Sequence, residues 1–191
     1  ADNESIVDVT MPSLTLLLIG TSGEEFGDAA YDAIQLAMND YLRRILEEFY
    51  LPAYDLADVR TEVVNDRPYD DDDASLGGNA VTLETILFFR DHASAAAKRN
   101  EEAEDSEIGD ASSHRAADDV SNTAAAVPTE LELELAAGHA WNDLSMFRNH
   151  LMVSAAVECT DAFKSLITVE SKQTFPKHSE LNKKTIPHSQ T

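Results

Sequence analysis

Val81-Thr82-Leu83-Glu84-Thr85-Ile86-Leu87-Phe88-Phe89 is a nine-residue run of branched, aromatic and apolar residues with no glycine or proline inside it. Such a run fits the pleated, half-buried surface of a sheet and predicts a long strand. Upstream, Val59, Thr61 and Val63 alternate with Arg60 and Glu62, the period-two pattern of a strand with one wet face. Between them, Asn65 to Asn79 contains Pro68, the aspartates Asp70, Asp71, Asp72 and Asp73, and Gly77-Gly78, so the two strands read as a hairpin.

Further out, Leu14-Thr15-Leu16-Leu17-Leu18-Ile19 reads as a buried strand that ends at Gly20-Thr21-Ser22-Gly23. Ser22 followed by Glu25 has the spacing of a capping box. Behind it Phe26, Ala30, Ala33, Ala37 and Tyr41, widened by Ile34, Met38, Leu42, Ile45 and Phe49, predict a long amphipathic helix ending near Tyr50 and Pro52. On the other side, residues 91–127 are dominated by Ala, Ser, Asp and Glu. They read as an acidic low-complexity insertion that buries too little to offset its ordering entropy. Leu131, Leu133 and Leu135 then alternate with Glu130, Glu132 and Glu134, which predicts another one-sided strand. A second helix is expected from Asn142 or Asp143, with Leu144, Phe147, Leu151, Ala155, Cys159, Ala162, Phe163 and Leu166 on its apolar face. Ile167 to Phe175 supply a last strand, and 176–191 a flexible tail.

The expected fold is α+β: one domain over residues 10–175, with two helices packed on one face of an antiparallel sheet of four to five strands. Of its 191 residues 43% are hydrophobic, many of them alanines, so a folded unit of roughly 110–140 residues is expected. The 36 acidic residues outnumber 14 basic ones, for a net charge of −22. That charge repels phosphate backbones and anionic lipid, and favours cations and basic partners. No apolar stretch is long enough to span a bilayer. The chain begins at Ala1, as a processed chain or a piece of a longer one does, and Asn3-Glu4-Ser5 forms a glycosylation sequon.

Catalytic constellations are missing from the pattern. The Gly20–Gly23 turn lacks the glycine spacing of a dinucleotide fingerprint and the lysine of a phosphate loop, and Glu24 and Glu25 stand where a phosphate would lie. There is no nucleophile elbow, and the lone Cys159 reads as a small buried hydrophobe. His92, His114, His139, His150, His178 and His188 form no ligand box, although His139 and Asp143 stand one turn apart. Trp141, Phe147 and Phe163 read as core. No cofactor or metal centre is expected. Asp70, Asp71, Asp72 and Asp73 could gather cations diffusely, but they lack the alternating ligand spacing of a calcium loop.

Gly78-Asn79-Ala80-Val81-Thr82-Leu83-Glu84-Thr85-Ile86-Leu87-Phe88-Phe89-Arg90 resembles the hairpin of SEA domains, in which a glycine–serine step precedes small and branched residues and an apolar strand. The order of strand, helix and strand before it, and of helix and strand after it, is similar too, over residues 10–90 and 139–175. The resemblance implies a ferredoxin-like sandwich in an extracellular or lumenal protein, tethered through a flanking segment and acting without catalysis in adhesion, spacing or assembly. Some SEA domains cleave themselves at the glycine–serine bond. Here Gly78 is followed by Asn79, so the step is degenerate and self-cleavage is not expected. The alternatives are an acidic protein that binds cations or polyamines through the aspartate loop and the insertion, and an enzyme whose site has no recognisable motif.

Overall fold

The computed structural model describes residues 5–69, 77–91 and 127–172. The elements are strands β1 (Ser5–Thr10) and β2 (Leu14–Ile19), helix α1 (Asp28–Ile45) with a π-helical turn (Leu46–Tyr50), strands β3 (Leu56–Tyr69) and β4 (Gly78–Asp91), helices α2 (Glu130–Ala140) and α3 (Ser145–Val157), and strand β5 (Thr168–Ser171). The fold is α+β, with a wholly antiparallel sheet. Of the expected insertion, Asp91 is the last residue of β4 and Val127 is described, while residues 92–126, the expected tail, and Asp70 to Asp73 lie outside the described residues.

β4 organises the sheet. Along one edge it pairs with β3 from Leu56↔Phe89 to Tyr69↔Gly78, so the expected hairpin forms. Along its other edge it pairs with β1 through Thr10↔Ile86 and with β2 through Leu14↔Leu83. β1 and β2 are thus two halves of one strand, interrupted where Met11, Pro12 and Ser13 oppose only Glu84 and Thr85. The extra residue is a bulge at a proline that has no N–H to donate. β5 closes the far side against β2.

One face of the sheet carries Leu14, Leu16, Leu18, Val81, Leu83, Leu87, Phe89, Leu56 and Val59, all buried in a single core with Ala30, Ile34, Met38, Leu42, Phe147 and Leu151 of the helices. The alternate residues Arg60, Glu62, Glu84 and Ile86 are exposed. On this outer face the Arg60 guanidinium lies 4.9 Å from the Phe88 ring centre, and the Lys172 ammonium 5.9 Å from that of Tyr69.

Three expectations are corrected. The Leu/Glu segment is helix α2, and the helices number three among the described residues. Thr129 starts α2 with a complete capping box: the Glu132 amide donates to the Thr129 hydroxyl, and the Glu132 carboxylate accepts from the Thr129 amide. Strong helix formers behind a cap override two-residue alternation, and the helix buries Leu133 but leaves Leu131 and Leu135 outside.

The box expected at Ser22 and Glu25 does not form. α1 starts later, with Gly27 at its N-cap and no side-chain cap, and Ser22 accepts from the Glu24 amide at 3.3 Å. At the other end of α1 the predicted stripe is buried as far as Ile45, and Leu46, which it did not include, is buried next to it. The π turn, closed by Leu51 N–H to Leu46 C=O, then adds a residue to the helical cycle and turns Phe49 out, 65% exposed.

Finally, α3 stops at Val157. Cys159 follows in a left-handed conformation (φ 53°) and is exposed, so it is not the buried hydrophobe expected. Phe163 and Leu166 are buried from the loop beyond the helix.

Candidate functional site

Gly78 and Asn79 open β4, inside the sheet. Gly78 faces Tyr69 on one side and Ile19 on the other. A Cβ at Gly78 would come within 2.1 Å of the Leu18 carbonyl oxygen, so the two strands can approach only at a glycine. The Gly78–Asn79 peptide is therefore part of a regular ladder.

Asn79 is fully buried at the hub of a polar network. Its Oδ1 accepts from the Gly23 amide (3.2 Å) and lies 2.8 Å from the Thr21 hydroxyl, which is also 2.8 Å from the Leu18 carbonyl. Its Nδ2 donates to the Glu24 carbonyl (2.8 Å) and to Asp66 Oδ1 (2.9 Å). Asp66 Oδ2 in turn accepts from the Phe26 amide (2.8 Å) and from Tyr31 Oη (3.4 Å). Burial and the Asp66 charge raise the Tyr31 pKa, which keeps the phenol protonated.

One asparagine thus ties the Gly20–Phe26 loop, where Gly20 and Gly23 both have positive φ, to β3 and β4. The Gly23 and Phe26 amides and the Glu24 carbonyl find partners in the distant side chains of Asn79 and Asp66. The sequence reading singled out Asn79 but missed Thr21, Tyr31 and Asp66. Nothing local in the chain ties residues 21, 31, 66 and 79 together.

Beside the network, Glu25, Tyr31, Val63, Val64, Asn65 and Asp66 line a depression of about 210 Å³, and a second of about 320 Å³ lies between Met11, Pro12, Glu130, Leu133 and Glu134. Small-molecule sites begin at roughly 300 Å³ and are mostly apolar with convergent polar groups. The first depression is too small and the second only reaches that limit.

The remaining candidates are scattered. His139 is exposed and stacks on Tyr50, ring centres 5.4 Å apart. Asp143 Oδ1 accepts from the Ser145 amide (3.0 Å), and the Ser145 hydroxyl and amide hold its pKa below the usual carboxylate value. His150 is half-buried with its edge toward Tyr41. Trp141, Phe147 and Phe163 are core residues, as expected. His92, His114, His178 and His188 lie outside the described residues. Among the described residues, no three His, Cys, Asp or Glu side chains gather as a metal site, and no helix is long and apolar enough to cross a membrane.

Two helical surfaces are apolar and open to solvent. Leu131 and Leu135, one turn apart on α2, stand beside Glu130 and Glu134. On α3, Met146, Met152, Val153 and Val157 are exposed. Compared with protein-family models, with curated proteins and with solved structures, the chain matches none of them.

Proposed function

We propose that this chain is a non-catalytic module of the ferredoxin-like, SEA-like kind, placed outside the cell or in a lumen and acting in adhesion, spacing or assembly. The observation that carries this reading is the strand order. With β1 and β2 counted as one strand, the spatial order is β5, β1/β2, β4, β3. The connectivity is strand–helix–strand–strand–helices–strand, the arrangement the resemblance implies.

Two further observations agree with it. Asn79 stands at the degenerate step with both ends of its amide occupied, and it brings no nucleophile. The α2 surface pairs Leu131 and Leu135 with glutamates, which suits a protein partner whose apolar anchors are flanked by basic residues.

An antibody to the folded domain tests the location. It should label intact cells expressing the parent protein, or co-localise with a secretory-lumen marker; exclusively cytosolic labelling would overturn that part of the reading. Intact-mass analysis of Asn79→Ser tests the chemistry. A chain that stays whole for days is the expected result, because the 78–79 peptide lies in a regular strand; two fragments would show a latent cleavage site.

A further inference from the structure

β1 lies at an edge of the sheet, and among the described residues no strand pairs along its outer side. The Met11 amide donates to the Thr85 carbonyl at 2.9 Å, so the odd-numbered residues of β1 turn their backbone groups to β4. Ile6, Asp8 and Thr10 turn theirs outward. β5 fills the same side of the broken strand only as far as Thr15, whose carbonyl takes the Lys172 amide.

The other edges are guarded. β3, across the sheet, has two register shifts, Pro68 near its end, and the amides of Val59 and Val63 taken up by side chains. β5 is four residues long. β1 runs for six residues without proline, lysine or a register shift, about 20 Å of extended backbone.

The chemistry of this edge selects its occupant. Backbone donors and acceptors at strand spacing are matched by another extended polypeptide. On the core side stand half-buried Val7 and Val9, opposite Phe89 and Leu87. At the Thr10 end lies the depression of about 320 Å³ that Met11 and Leu133 line together with Glu130 and Glu134. On the outer face Asp8 is exposed and has Phe88, not a base, opposite it. A strand laid here sets apolar side chains beside Val7, Val9 and the depression, and basic ones beside Asp8. A second copy does not fit: two β1 edges paired about a twofold axis at Asp8 oppose that carboxylate to itself, and each copy carries a net −22.

We propose that the free edge of β1 takes up an extended segment of a partner protein, alternately basic and apolar, as an added strand. This deepens the assembly reading by giving the partner's form and seat. It rests on that reading only in taking the partner to be a protein.

The probe is a capped heptapeptide of alternating lysine and valine, titrated into the full chain at moderate salt while NMR follows hydrogen exchange at the Ile6, Asp8 and Thr10 amides. In the free chain all three should exchange fast at every protein concentration. Saturating peptide should slow them at least about tenfold, with a Kd below about 1 mM. The same peptide with every amide N-methylated keeps its charges but donates no backbone hydrogen bond, and should bind at least about tenfold more weakly. Asp8→Pro removes an outward N–H without touching the β4 ladder and should weaken binding by a similar factor. Circular dichroism checks its fold, and the methylated peptide tests the same bonds on the native chain.

Equal binding of the methylated peptide or no slowing of the three amides would overturn the proposal. So would slow exchange in the free chain, which would mean that the chain covers its own edge, or protection that grows with protein concentration alone, which would mean a second copy. A failed titration leaves the antibody test of location untouched, so the two readings fall separately.

Discussion

Asn79 shows what a single buried amide can do for a loop that contains two left-handed glycines. Its oxygen and nitrogen serve partners in the β2–α1 loop and on β3, and truncation would remove the bonds that Asn79 makes to the Gly23 amide, the Glu24 carbonyl and Asp66. Asn79→Ala should therefore destabilise the fold by about 3 kcal/mol, as loss of a buried network hub does. Thermal melts should show a fall of roughly 10 °C. A change below about 1 kcal/mol would mean that water replaces the amide. The same asparagine illustrates why a site can be invisible in one chain. It was noticed for its place after Gly78, yet its role depends on Thr21, Asp66 and Gly23, which only folding brings near. Tyr41 acts similarly. Its hydroxyl bonds to the Ala140 carbonyl and lies 3.0 Å from that of Asp143, anchoring the α2–α3 turn to α1. Burial raises its pKa strongly, so the phenol stays protonated through the neutral range.

α2 is the element in which local and tertiary signals meet. Its Thr129–Glu132 box is joined from outside by Tyr54, whose hydroxyl lies 2.9 Å from both Glu132 carboxylate oxygens. The Thr129 amide, the Thr129 hydroxyl and Tyr54 together hold the Glu132 pKa below the usual glutamate value. A depressed folded-state pKa contributes stability that is present above the unfolded-state value, near 4.3, and lost as pH falls through the folded one. Glu132→Gln keeps an acceptor but not the charge. The variant should melt below the parent chain at neutral pH, and the difference should close on acidification to about pH 2. A gap that stays constant with pH would show that the charge contributes nothing. At the sheet edge, β3 gives up backbone donors to side chains: Val63 N–H bonds to Gln35 Oε1 and Val59 N–H to Asp58 Oδ1. With register shifts at two points and Pro68 near its end, this long edge is poorly suited to adding a foreign strand.

Over the whole molecule the dominant long-range term is charge. Ion pairs such as Arg43–Asp58 and Arg90–Asp55 lie at the surface, where each contributes little. The excess of carboxylates is therefore largely uncompensated and opposes compaction. Raising sodium chloride from about 0.01 M to 0.5 M shrinks the screening length several-fold and should raise the melting temperature by several degrees. A flat or falling curve would show that the excess charge is already held apart. Much of the architecture was legible in the chain: the β2 run, the α1 stripe, the β3–β4 hairpin, the α3 face from Phe147 to Ala155 and the antiparallel sheet all follow from periodicity and turn residues, which act between near neighbours. Composition alone carried the net charge. Tertiary structure decided the rest. It added the Tyr54 bond to Glu132 at the start of residues 130–140, where the local cap and helix propensity had already overridden the alternation. It joined β1 to β2 as one broken strand, because both could pair with β4. It also assembled the Asn79 network, whose members are up to 58 residues apart. Contacts over such separations form only when the whole chain closes around its core, so no local pattern encodes them.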